Sequence, residues 1–88
     1  MKTLREKTAR KVYDILVEEC GAREELREHF VQCQTTEEVR EWRFCGKLGF
    51  GGKFWVNDDR LYVNCYNEDM NPARNKIIEA ANKRLEAL

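Results

Sequence analysis

The run "KFWVNDDRLYVNCY", residues 53–66, limits what this chain can become more than any other stretch. Large apolar and polar residues alternate on both sides of Asn57-Asp58-Asp59, the period-2 signature of a β-hairpin. With Asp58 and Asp59 at the centre of the turn, Val56 lies opposite Leu61, Phe54 opposite Val63 and Gly52 opposite Cys65. That face is wholly apolar and is predicted to meet a core. The other face sets Trp55 opposite Tyr62, Lys53 opposite Asn64 and Gly51 opposite Tyr66, a mixture of aromatic and polar pairs.

Helical periodicity brackets the hairpin. Residues 3–20 read as an amphipathic helix whose buried stripe is Ala9, Val12, Tyr13, Leu16, Val17 and Cys20. Gly21 stands where a helix ends in a left-handed residue. A second helix follows, with Ala22, Leu26, His29, Phe30 and Cys33 along one side. Thr35 and Glu38 fit a capping box for a further helical turn. The β-branched and aromatic content of "VREWRFC" instead favours a strand over about 40–45, and the strand is preferred. In "NPARNKIIEAANKRLEAL", Asn71 is the predicted cap and Pro72 the first helical residue. Ile77, Ile78, Ala81, Leu85 and Leu88 form its predicted stripe. The expected fold is α+β: two N-terminal helices, a small antiparallel sheet of about three strands and one C-terminal helix. Residues 1–88 are expected to form a single compact domain.

Between strand and hairpin lies "GKLGFGGKFW", which holds four of the chain's five glycines. A phosphate-binding P-loop needs a leading glycine and a closing hydroxyl, and here those places are Lys47 and Phe54. The RNA-recognition signature comes closer. Gly49-Phe50-Gly51 and Trp55 match, but Leu48, Gly52 and Lys53 do not, and the element order differs. A sheet corner is the simpler reading, with Gly51 leaving room for the Tyr66 ring. The tip, Lys47 to Phe50, is then a candidate contact surface carrying Leu48 and Phe50. Lys53, Trp55, Tyr62 and Tyr66 form a second candidate surface, on which bases could stack. With three helices for so small a sheet, the favoured expectation is that helices cover this face and its rings are core.

Sixteen basic and sixteen acidic side chains balance, so no global basic field attracts a polyanion. No apolar run nears the ~20 residues that cross a bilayer, and the charged start lacks a signal-peptide centre; a cytoplasmic protein without membrane contact is expected. Lys2, Arg5, Lys7, Arg10 and Lys11 read as a solvated face set against the dipole of their own helix. Serine is absent, which removes serine-nucleophile mechanisms. Cys20, Cys33, Cys45 and Cys65 form no paired ligand spacing and are expected to be reduced. His29 and Cys33 are four residues apart but lack further ligands nearby in sequence. Asp58 and Asp59 read as turn residues, and Glu68 and Asp69 as favourable charge before the last helix. No catalytic residue, metal or cofactor is expected.

"EWRF", "LGFGGKFW", "YVNCY" and the trailing Pro…Asn…Leu helix together resemble a group of small uncharacterised proteins of bacteriophages and prophages. The resemblance covers roughly the second half of the chain. It implies a mobile-element origin and carries no activity with it. The first expectation is therefore a non-enzymatic binding protein, a phage-borne modulator of a host protein such as a defence protein. Nucleic-acid or nucleotide binding through the aromatic face and glycine-rich loop is the alternative, and an enzyme comes third.

Overall fold

A computed structural model describes residues 3–38, 41–49, 51–66 and 71–88. Helix α1 (Glu6–Cys20) leads through a short 3₁₀ turn at Glu24–Leu26 into α2 (Arg27–Thr36). Strands β1 (Trp42–Cys45), β2 (Gly51–Asn57) and β3 (Arg60–Cys65) follow, and α3 (Pro72–Glu86) closes the order. The α+β expectation holds element by element. The sheet is antiparallel in the order β1-β2-β3.

The hairpin has the expected register: Val56 pairs with Leu61, Phe54 with Val63, Gly52 with Cys65, Trp55 with Tyr62 and Lys53 with Asn64. Asp58 and Asp59 take φ of 50° and 63°, the double left-handed turn whose twist suits a two-residue hairpin. On the other side of β2, Trp42 pairs with Phe54, Arg43 with Lys53 and Phe44 with Gly52.

Helix α1 ends as expected. Gly21 has φ 72°, its N–H donates to the Val17 carbonyl, and the Ala22 N–H donates to Leu16. This pair of bonds satisfies carbonyls that the helix end leaves open. Asn71 caps α3 by accepting from the Ala73 N–H at 2.9 Å. The Thr35 capping box does not form. Thr35 and Thr36 are the last residues of α2, and their hydroxyls donate back to the Val31 and Gln32 carbonyls. On α2, Phe30 and Val31 are buried while His29 is exposed, so the buried stripe is rotated from the expected one. On α3, Ile78, Ala81 and Leu85 are buried but Leu88 is 48% exposed, one turn too far along to reach the core.

The helices form one layer. Helix α1 packs against both α2 and α3, and α3 also lies along β3. Tyr13, Leu16, Phe30, Phe54 and Val63 lie at the centre of the core that this layer shares with one face of the sheet. Phe30 bridges the layers, its ring centroid 5.0 Å from Tyr13, 5.4 Å from Trp42 and 5.6 Å from Phe54. No described helix is long and apolar enough to cross a membrane.

Candidate functional site: an aromatic and cationic sheet face

The opposite sheet face corrects the expectation that helices cover it. Trp55 and Tyr62 are only half-buried, and Tyr66 is 37% exposed. The helices spend their apolar stripes on one another and on the Phe44, Phe54 and Val63 face, so the second face keeps its contact with solvent.

Strand alternation places the residues. Lys53 and Trp55 point the same way from β2, as do Arg60, Tyr62 and Asn64 from β3 and Arg43 from β1. The Trp55 and Tyr62 rings stack with centroids 5.5 Å apart and planes 20° from parallel. A cation lies against each ring of the face. Lys53 Nζ is 5.2 Å from the Trp55 centroid, the Arg60 guanidinium 5.2 Å from Tyr62 and the Arg43 guanidinium 5.5 Å from Tyr66. At these distances cations are attracted to the ring quadrupole. Gly51 lies beneath Tyr66: a Cβ at residue 51 would overlap the ring tip, as the sequence suggested.

Carboxylates hold the cations from the rim. Glu41 Oε1 accepts from Arg43 Nε at 2.6 Å, and Glu41 Oε2 stands 3.4 Å from Lys53 Nζ. The Arg43 hydrogen bond, with Lys53 beside it, keeps the Glu41 carboxyl below the usual carboxylate range. Glu86 of α3 stands 3.7 Å from Arg60. The sheet face thus gathers flat apolar rings, three cations and hydrogen-bonding Asn64, a set suited to binding a flexible polyanion with planar groups.

Not all seven predicted contact residues fall here. Lys53, Trp55, Tyr62 and Tyr66 come together. Lys47 does not join them: its Nζ donates to the Glu18 carbonyl at 2.8 Å, completing the C-terminal cap of α1. Phe50 lies outside the described residues, and so does the side chain of Leu48. The sequence reading missed Arg43, Arg60 and Glu41. Arg60 was within reach, two residues before Tyr62 on the same strand. Arg43 and Glu41 depended on the β1–β2 register, which no regular turn signal gives.

Elsewhere, His29 Nε2 and Cys33 Sγ lie 3.6 Å apart, with the His29 ring edge-on to Trp42 at 5.2 Å. Among the described residues no three His, Cys, Asp or Glu side chains gather where they could hold a metal ion. Glu68 and Asp69, expected before the last helix, lie outside the described residues. No family model matches this chain, and no curated protein or solved structure is significantly similar to it.

Proposed function

We propose that this is a non-enzymatic binding protein whose working surface is the open sheet face and whose ligand is single-stranded nucleic acid. One observation carries the reading: Trp55, Tyr62 and Tyr66 stand on a solvent-facing sheet with Lys53, Arg60 and Arg43 against their rings. Rings of this kind stack on any base, and the neighbouring cations meet the phosphates. The exposure of these rings moves nucleic acid ahead of the host-protein partner that the sequence favoured. The test is titration of a fluorescein-labelled oligothymidylate at low salt, read by anisotropy and tryptophan fluorescence. Binding should weaken steadily with salt, and Trp55→Ala should cost about 1–3 kcal/mol. Absence of binding at low salt defeats the reading.

The balance of charge favours one second reading, a host-protein partner. Sixteen acidic residues offset sixteen basic ones, and Glu41 and Glu86 temper the cations of the face. Tryptophan, tyrosine and arginine are also the usual anchors of protein interfaces. With the resemblance to phage and prophage proteins, this supports a phage-borne modulator of a host protein acting through the same face. The check is nuclease-treated bacterial lysate passed over wild-type protein and a Trp55→Ala/Tyr62→Ala variant. A protein retained by the first and lost by the second supports this reading.

A further inference from the structure

We infer that Glu41 is an internal competitor of the ligand's phosphate, holding Arg43 and Lys53 at rest until a phosphate oxygen replaces its carboxylate. The inference rests on the nucleic-acid reading of the sheet face and names the residue that sets its affinity.

Arg43 and Lys53 are direct cross-strand partners on β1 and β2. Like charges directly opposite one another destabilise a sheet. Glu41 sits at the entrance of β1 and engages both: Oε1 accepts from Arg43 Nε at 2.6 Å, and Oε2 lies 3.4 Å from Lys53 Nζ. One carboxylate thus serves two cations and leaves a net positive charge at the centre of the face.

The same cations occupy the rings. Arg43 lies against Tyr66 and Lys53 against Trp55. A base can stack on Trp55 only where Lys53 yields part of the ring. A phosphate linked to that base offers Lys53 a new anion as it moves. Lys53 has the longer of the two Glu41 contacts, so it is the cation that leaves first. The exchange is anion for anion. No bond is made or broken, and Glu41 ends hydrated at the rim, where its side chain is already 36% exposed.

The test compares wild type, Glu41→Gln and Glu28→Gln for binding a labelled oligothymidylate across a salt series. Glu28 pairs with Arg10 in the helix layer, so Glu28→Gln makes the same change in net charge away from the face. Glu41→Gln should bind roughly two- to fivefold more tightly than wild type, the equivalent of one surface ion pair, with a steeper salt dependence. Glu28→Gln should match wild type. If both variants tighten equally, the effect is one of global charge and the role of Glu41 is overturned. Binding by wild type with no gain in Glu41→Gln also overturns it, while the sheet-face reading stands. Binding by Glu41→Gln alone, with none by wild type even at low salt, overturns the nucleic-acid reading of the native protein and with it the exchange at Glu41. Failure of all three proteins to bind overturns both together.

Discussion

At the scale of single residues, the two adjacent glycines of β2 have different tasks. Neither has a positive φ, so neither is needed for backbone conformation there. Gly51 faces the tip of the Tyr66 ring at the solvent surface, and that ring can swing away. Gly52 faces the core, where an added Cβ would stand 2.7 Å from Phe44 Cζ and 3.0 Å from Cε2. Phe44 is buried and cannot turn aside freely. Gly52→Val should therefore cost about 1–3 kcal/mol of stability, the usual toll of overpacking. Gly51→Ala should stay within about 0.5 kcal/mol, as a surface change does, and disturb the Tyr66 surface instead. Urea denaturation of both variants checks the order, and an equal loss would show that Tyr66 is locked. The thiols divide on the same principle. Burial pushes Cys20 up to about 12, which leaves almost no thiolate at neutral pH, whereas Cys45 is exposed. Alkylation followed by mass spectrometry should label Cys45 first and Cys20 only on unfolding. Early labelling of Cys20 would mean that the α1 end of the core opens readily.

At the scale of elements, the hairpin was legible because alternation and a two-residue turn specify each other. Once Asp58 and Asp59 are central, every pair from Asn57–Arg60 to Gly52–Cys65 follows. The caps were legible where a residue has one dominant local use, as Gly21 and Asn71 do. Thr35 has two, and the back-bond to Val31 prevailed because α2 was still running when it reached residue 35. The protection of β3 could not be read at all. Val63 turns its backbone away from β2, and Asn82 of α3 meets it with both ends of its amide. The Val63 N–H donates to Asn82 Oδ1 at 3.0 Å, and Asn82 Nδ2 donates to the Val63 carbonyl at 2.9 Å. This side chain fills the place of a neighbouring strand, and nothing in helical periodicity marks it. Asn82→Leu should leave a buried donor and acceptor unpaired and cost about 1–3 kcal/mol. It should also open an edge to strand addition, visible as self-association in sedimentation at high concentration. A fully stable, monomeric Asn82→Leu protein would deny the amide this role.

At the scale of the whole molecule, the apolar Phe54 and Val63 face was legible as the core face, but that the helices would leave the other face open was not. The second face also carries large rings, Trp55 and Tyr62, and binary pattern alone does not say whether three helices reach around to cover them. Packing decides: α1 packs against both α2 and α3, and α3 lies along β3, so the helices form one layer with one side to offer. The charges act across these elements. Hydrogen bonds from Arg10 to Glu28 and from Arg43 to Glu41 hold both carboxyls below their ordinary value of 4.5. Carboxyls depressed by folding stabilise the protein above that value, and the benefit is lost as pH falls below it through their folded pKa values. Thermal midpoints should therefore drop on acidification below about pH 4.5. Because these groups are exposed, the drop should be modest and smaller in high salt. A midpoint that stays level down to about pH 3 would show that the pairs contribute nothing measurable.

Lys47 ties the end of the first helix to the sheet. Its amine reaches back 29 residues to the Glu18 carbonyl, and its stem covers Gly21, where an added Cβ would strike it. The last turn of α1 therefore draws one of its partners from the β1–β2 connection as well as from the local Gly21 and Ala22 bonds. Hydrogen exchange should register this as a shared opening: the Gly21 and Ala22 amides should lose protection together with the β1–β2 ladder rather than with the middle of α1. In Lys47→Ala those two amides should exchange faster while the centre of the helix keeps its rate. A connection that looks like a surface loop would then be the clasp by which the sheet reports its completion to the first helix.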